Sequence, residues 1–383
     1  MKASIVIDLM FGDSGKGITT DYLCSQNTYT KKIVVRFSGG QQSGHNVRIG
    51  DVNHIHSNFG SGTLRGVPSY FSEHCAVYPL TMYREQMVLQ SKGVIPELYI
   101  HPLANVTTPS DVAFNRLTEQ KNGHGSCGLG ISATMKRNIL TPRKLYAIDL
   151  GNPILLEQKL KSIHSYYFNI LSRKEKIEYL KLYTPENEVF IESLKDVSFN
   201  IQPYDFLKNY PEIIFEGSQG VLLDMDHGIF PNVTYANTTS KNALDICRKI
   251  NEENIEIYYV TRCYQTRHGS GWMSNNEKID LIHNEEETNI YNEWQKDFKI
   301  GEIDYDLLNY SLEIDEIYAG KLYSRDIPKN LVITCTDQRP GFNFETEKLK
   351  TKFKRVIKSQ SSDSDDFLLT HENHEPYYVG CRI

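Results

Sequence analysis

The chain has 383 residues, 39% hydrophobic and 23% charged, which is enough to bury one large core or two ordinary ones and excludes global disorder. A net charge of −6 with no basic block argues against a protein that binds nucleic acid through its phosphates. The seven cysteines include no Cys-x-x-Cys pair, which argues against a zinc ribbon or a disulfide framework and for a reducing cytoplasm.

The first expected strand, Ile5 to Leu9, runs into Phe11-Gly12-Asp13-Ser14-Gly15-Lys16-Gly17 and then into a helix start at Ile18. The apolar stretch from Ala3 to Met10 is too short for a membrane span or a signal sequence. A strand, a tight glycine turn and a helix start aim backbone N–H groups at one point, which suits phosphate. Lys16 adds a mobile cation. The pattern departs from the usual phosphate loop, which asks for glycine where Met10 stands and a hydroxyl where Gly17 stands. Asp13 adds nothing to a phosphate cradle, so it is a candidate base or Mg²⁺ ligand.

A second strand, Lys32 to Phe37, leads into Ser38-Gly39-Gly40-Gln41-Gln42-Ser43-Gly44-His45-Asn46. Two such loops converge at the carboxyl edge of a parallel sheet, and His45 is a candidate acid or donor to phosphoryl oxygens. After a strand at Glu97 to Ile100, the run from Gly123 to Gly130 is a further phosphate cradle, with Ser126, Cys127, Lys136 and Arg137 in or near it. Cys127 reads as a small loop residue, since no base is fixed beside it. Leu155 to Leu182 has helical spacing and reads as one or two amphipathic helices inserted in a single domain spanning 1–383.

The strand Glu212 to Phe215 opens directly onto Glu216-Gly217-Ser218-Gln219-Gly220. Asp224, Asp226 and His227 follow, and they read as a turn held by local side-chain hydrogen bonds rather than as a metal site. Further strands are expected at Ile255 to Val260 and Leu331 to Cys335, with a flexible Ser/Asp loop from Ser359 to Asp366. Strands alternating with helices predict an α/β fold with a mostly parallel central sheet flanked by helices, similar to that of P-loop NTPases.

Together these clusters resemble the adenylosuccinate synthetase family, in order and spacing as well as in single motifs. The family's Gly-Asp-Glu-Gly-Lys-Gly loop resembles Gly12 to Gly17, and its Gly-Gly-His-Asn-Ala-Gly-His-Thr loop resembles Gly39 to Asn46. Its Glu-Gly-Ala-Gln-Gly block, ending in Pro-x-Val-Thr, resembles Glu216 to Thr234; its Tyr-x-Thr-Arg-x-Gly segment resembles Tyr264 to Gly269. Its base-binding Thr-Lys-x-Asp segment resembles Thr334 to Asp337.

The resemblance implies a C–N ligase. Asp13 would take the N1 proton of a purine so that O6 attacks the γ-phosphoryl of a nucleoside triphosphate; L-aspartate then displaces phosphate at C6. Lys16, His45 and Gln219 would assist, and Asp13 with the Gly44 carbonyl would hold Mg²⁺. The monophosphate would be bound by Asp13, Ser14, Lys16, Gln42, Ser43, Gly44, Ser126, Cys127, Gln219 and Thr234. The triphosphate would meet Gly12, Ser14, Gly15, Lys16, Gly17, Gly44, His45, Asn46, Thr336, Asp337 and Gly380. A homodimer is implied, with Arg137, or alternatively Arg143, crossing to the neighbour's phosphate site.

Four departures set the substrate. Ser14 replaces glutamate beside Asp13, which makes room for a 2-amino group. Gln41 and Gln42 replace histidine and asparagine in the same wall. The aspartate loop, Trp294 to Gly301, has lysines and no arginine. Lys299 and Gly301 are its candidate aspartate contacts, and a lost arginine–ribose contact suits a deoxyribose. Cys335 replaces the lysine linked to GTP selection. These departures resemble the family's phage-borne branch, which takes dGMP, aspartate and generally ATP to make the precursor of 2-aminoadenine DNA. They place dGMP ahead of IMP, and ATP (or dATP) ahead of GTP. The competing readings are an ordinary synthetase acting on IMP and an inactive nucleotide-binding protein.

Overall fold

The computed structural model describes residues 1–370 and 377–378, apart from 28, 124–125, 185, 270, 283–286, 288, 290–297 and 324–325. Its centre is strand β1 (Lys2–Asp8), paired in parallel with Glu212–Gly220 on one side and Ile255–Arg262 on the other. Both faces of β1 are covered, which is why Ile5-Val6-Ile7 reads as a continuous apolar run instead of alternating. From β1 the sheet continues through Glu212–Gly220 to β2 (Lys32–Arg36), Ser69–Phe71, Leu98–Ile100 and Asn200–Ile201. On the other side it continues through Ile255–Arg262 to Lys329–Thr334, Arg355–Ser359, Phe367–Thr370 and Tyr377–Tyr378. The eleven-stranded sheet is parallel except for its last two strands. The α/β class and the largely parallel sheet are as the sequence predicts, and every expected strand lies in this one sheet.

Three apolar clusters hold it. One, including Ile5, Ile7, Phe215 and Ile257, fills one face of the sheet, and a smaller one around Val6, Val34 and Val260 fills the other. The third joins the segment from Phe59 to Val197. The helical stretch expected from Leu155 to Leu182 is two helices, Pro153–Ile170 and Arg173–Leu182. Asn152 caps the first, with Pro153 at its first turn; Ser172 and Glu175 form a capping box on the second. Leu156, Leu160, Ile163 and Tyr167 make the buried stripe of the first helix.

Two features depart from the sequence reading. The second glycine loop continues into a hairpin, β3 (His45–Ile49) with β4 (Val52–His56), so His45 is a strand residue. The Ser359–Asp366 loop is not free: Gly50 N donates to Asp363, Ser364 Oγ donates to Asp21, and Arg65 bridges Asp21 and Asp365. No helix among the described residues is long and apolar enough to cross a membrane, and their cysteines form no disulfide.

Candidate active site

Helix α1 (Lys16–Ser25) begins at Gly15, in the left-handed region at φ 94°, directly after the turn that follows β1. Asp8, fully buried at the end of β1, accepts from the N–H groups of Met10 and Ser14 and so shapes the turn. Lys16 Nζ lies 3.1 Å from Asp8 Oδ2 and also donates to the Gly12 carbonyl. Two glycines are set by close approach. A Cβ on Gly12, at φ 116°, would sit 2.9 Å from Gln219 Cα, and one on Gly17 would sit 2.7 Å from His45 Cβ. The hydroxyl residue that an ordinary phosphate loop places at position 17 is therefore sterically excluded by His45.

The opposite wall is built by an irregularity. The β1 register slips between Val6 and Asp8, opposite Glu216 to Gly220. Gln219 takes φ +63° there, which turns its side chain out of the sheet pattern. Its Oε1 is buried with no partner among the described residues.

Two cavities share this wall. The larger, 460 Å³, is lined by Gly12, Asp13, Gly15, Lys16 and Gly17, then by Gly44, His45 and Asn46, and across from them by Arg48, Arg262, Asp337 and Gln338. The smaller, 170 Å³, also touches Gly12, Asp13, Gly44 and His45; its other side has Gln42, Ser43, Ser126 and Cys127, with Gln219, Thr234, Arg267 and His268 beyond. Asp13 and His45 are thus positioned between two ligand-sized spaces.

Each has a buried or half-buried partner. Asp13 Oδ2 lies 3.1 Å from His268 Nδ1, and Arg262 Nε donates to the Asp13 carbonyl at 2.5 Å. Burial raises the Asp13 carboxyl, but the His268 hydrogen bond and charge, with Arg262 and Lys16, outweigh it and hold the carboxyl below its ordinary value. Asp13 is a carboxylate in neutral solution, able to accept a proton or to face a cation. His45 Nδ1 lies 2.6 Å from Glu216 Oε1, and Ser61 N and Oγ also donate to Glu216. Burial raises the Glu216 carboxyl, yet His45 and Arg36 bring it down to about 2. Burial pushes His45 down against the pull of Glu216. The ionised Glu216 fixes the proton on Nδ1 and leaves Nε2 for a ligand. Arg36 is fully buried 4.0 Å from Glu216 and donates to Ser218 Oγ at 2.8 Å.

Not every expected residue reaches a cavity. Ser14 is 2% exposed and lines neither; its N–H goes to Asp8 and its carbonyl accepts from Thr334. Gln41 donates to Leu129 O and accepts from Thr81, whereas both amide atoms of Gln42 are buried without partners among the described residues. Of the three, only Gln42 lines the smaller cavity. Thr336 Oγ1 is engaged by the Ser359 carbonyl. Lys299 donates to Gly271 O at 2.7 Å, and Gly301 pairs with Gln265; neither lines the smaller cavity. Burial pushes the Cys127 thiol up to about 11, in keeping with a small loop residue. Gly380 and the first half of the expected aspartate loop, 294–297, lie outside the described residues.

Arg137 needs a correction. It is 2% exposed and lies 2.9 Å from Asp111, with further donations to Val106 O, Arg143 O and Asn138. A guanidinium so fully engaged inside its own chain cannot cross to a neighbour. Arg143 keeps its side chain over the Tyr166 ring at 4.9 Å. The Asp224 turn is as expected: Asp224 accepts from the N–H groups of Asp226, His227 and Thr238.

The sequence reading assigned no role to Glu216, His268, Arg262 or Arg267. Glu216 had a visible signal, an acid at the end of an otherwise apolar strand. Arg267 is 2% exposed, stacks on Phe11 at 4.3 Å, and donates to the Trp272 and Asn232 carbonyls. Burial alone lowers it to about 10, and among the described residues no carboxylate offsets that.

The family model described as adenylosuccinate synthetase matches residues 5–334. The adenylosuccinate synthetase of Borrelia turicatae is 30% identical over 291 residues, which cover 71% of this chain and 64% of that protein. Those of Borrelia duttonii and Buchnera aphidicola are 29% and 27% identical, covering 70% and 88% of this chain. The Borrelia duttonii match spans 62% of that relative's length and the Buchnera match 80%. Among solved structures, fully ligated adenylosuccinate synthetase from Plasmodium falciparum matches 100% of this chain and 89% of its own, at 16% identity and a TM-score of 0.64. The succinoaminodeoxyadenylate synthetase of cyanophage S-2L, solved with dGMP and dATP, matches 96% and 94%, at 14% identity and the same TM-score. At these identities the two likenesses show the fold.

Proposed function

The chain belongs to the adenylosuccinate synthetase family, and from that membership we propose that it joins L-aspartate to C6 of a purine nucleoside monophosphate, with dGMP as the purine substrate and ATP or dATP as the phosphoryl donor. The observation that carries this reading is the shared wall: Asp13 and His45 border both cavities, where a base and a phosphoryl-oxygen donor are needed between two nucleotides.

The triphosphate occupies the larger cavity, its phosphates against Gly15, Lys16 and Gly17 and its base toward Asp337 and Gln338. The monophosphate occupies the smaller one. Asp13, held ionised by His268, takes the purine N1 proton, and O6 attacks the γ-phosphoryl. His45 presents Nε2 to the phosphoryl oxygens; their negative charge raises its proton affinity where burial had lowered it. Gln219 Oε1 and the amide of Gln42 supply unpaired groups on the purine side. Arg267, an uncompensated buried cation in the same cavity, takes a carboxylate of L-aspartate, a role the sequence reading placed at Lys299 and Gly301. The Asp13 carboxylate and the Gly44 backbone lie on one wall facing the phosphates, which fits a hard, oxygen-seeking cation. Mg²⁺ held there supplies charge neutralisation at the phosphoryl oxygens.

Support for dGMP over IMP comes from Gln42. An unpaired amide acceptor at the purine wall is satisfied by a guanine 2-amino group and left unpaired by hypoxanthine, a difference of about 1–3 kcal/mol. The cyanophage neighbour's dGMP and dATP are compatible with the same assignment. The test is phosphate release with dGMP and with IMP, side by side, in the presence of aspartate and ATP. Turnover with dGMP at least about tenfold above IMP is expected; turnover with IMP alone sinks the dGMP assignment.

A further inference from the structure

Across the hairpin from His45, on its second strand, lies a cluster that the proposed chemistry does not use. His54 and His56 project from β4, and Glu85 projects from helix α2 (Pro79–Ser91) packed beneath it. One donor atom from each lies within 4.8 Å of the others. All three are buried, at 5%, 0% and 8% exposure. The imidazoles sit edge to face, 4.6 Å apart.

Neither ring nitrogen of His56 has a hydrogen-bond partner among the described residues. A buried polar group left this way costs about 1–3 kcal/mol, so an interior histidine ordinarily finds a partner. Glu85, in contrast, is held by its surroundings. Oε2 accepts from Asn58 N at 2.7 Å and Asn58 Nδ2 at 2.9 Å, and Ser57 N reaches both oxygens. Oε1 faces His54 Nε2 at 3.4 Å. Such outer contacts orient a carboxylate toward an ion, and Oε1 keeps a second lone pair for it beside its bond from Ser57 N.

We propose that His54, His56 and Glu85 form a binding site for a late first-row divalent metal of the zinc type. Two imidazoles and one carboxylate are the donors such a metal prefers, whereas Mg²⁺ and Ca²⁺ ask for oxygens alone. A tetrahedral zinc with bonds of about 2.0–2.1 Å sets its donors about 3.4 Å apart, so the side chains draw in by about an ångström. Water supplies the fourth ligand. His54 Nδ1 accepts from Lys92 Nζ at 3.2 Å, which puts the ring proton on Nε2. On loading, Nε2 gives up that proton and Nδ1 takes one from solvent, while the exposed Lys92 keeps the Asn53 carbonyl as its acceptor. His56 is the cross-strand partner of His45, so the bound metal ties the strand carrying His45 to helix α2.

The test uses the full chain, stripped with a chelator and titrated with Zn²⁺ in excess Mg²⁺. One Zn²⁺ per chain is expected, with slower amide exchange across Val52–His56. Co²⁺ in its place gives a spectrum of nitrogen and oxygen ligation without thiolate charge transfer. Glu85→Gln and His56→Asn, each confirmed folded by circular dichroism, weaken binding more than about 100-fold, since outer-shell partners alone are worth 10- to 100-fold. Asp13→Asn leaves it unchanged. Absence of a saturable site, equal affinity in both variants, or loss of binding in Asp13→Asn overturns the proposal. If the variants do not fold, thiolate bands in wild-type Co²⁺ protein overturn it, and an imidazole–carboxylate spectrum upholds it.

Discussion

Glu216 shows how a single buried charge organises the site. It carries the short contact to His45, two donations from Ser61 and the nearby Arg36. Its carboxyl falls from an ordinary 4.5 to about 2. A depressed carboxyl contributes stability that is complete above the ordinary value and is lost as pH falls through the folded one. Between pH 4.5 and 2 this group is expected to contribute a stability slope worth about 3 kcal/mol. Glu216→Gln is expected to lose about 3 kcal/mol at neutral pH and to flatten that slope, because Arg36 is left buried without its counter-charge. Urea unfolding at pH 7 and pH 3.5 checks both; an unchanged slope removes Glu216 from this role. The sequence shows Asp13, His45 and Gln219 because glycine-rich turns at strand ends flag them. It does not show Asp13 meeting His268 or Glu216 meeting His45, since those pairs are separated by 255 and 171 positions and meet only through strand order. Ser14 illustrates the reverse: its place beside Asp13 in the chain suggested purine contact, but these consecutive residues of a tight turn point apart, and its neighbours are Asp8 and Thr334.

The strands were legible because sheet residues covered on both faces leave continuous apolar runs bounded by turns. The β3–β4 hairpin was not, because His45-Asn46-Val47-Arg48-Ile49 is half polar and its Gly50-Asp51 turn sits just after a glycine loop that masks where a strand begins. That hairpin matters through its contact with α1. Gly17 in the first turn of α1 lets His45 approach, and a methyl there must displace it. Gly17→Ala is expected to lower kcat by about 100-fold, the order of a displaced catalytic group, with an unchanged far-ultraviolet spectrum. Steady-state kinetics decides; a variant with full kcat shows that His45 need not hold this position. The insertion helices were legible from period and caps, and their buried stripe packs into the third apolar cluster instead of against the wall of Asp13 and His45.

Across the whole chain, the sheet places its ligand wall at the carboxyl ends of β1, β2 and Glu212–Gly220, where ligands lie in open α/β sheets. Helix Ile131–Leu140, close to the smaller cavity, ends in Ile139 at 59% and Leu140 at 76% exposure. The resemblance implies a homodimer, and we propose that it covers these residues, with Arg143 in place of the internally engaged Arg137 toward the second subunit. Sedimentation equilibrium is then expected to give twice the 44.1 kDa chain mass, and Leu140→Asp to shift the population toward the single chain. A wild-type chain sedimenting as a monomer with full activity ends the dimer assignment.

The proposed reaction turns on O6 attack across the wall formed by Asp13 and His45. dGMP labelled with ¹⁸O at O6, turned over with aspartate and ATP, tests this directly. Mass spectrometry of the released phosphate is expected to show one ¹⁸O per product formed, because the purine oxygen leaves with the transferred phosphoryl group. Unlabelled phosphate alongside product, or no product from dGMP at all, contradicts the account.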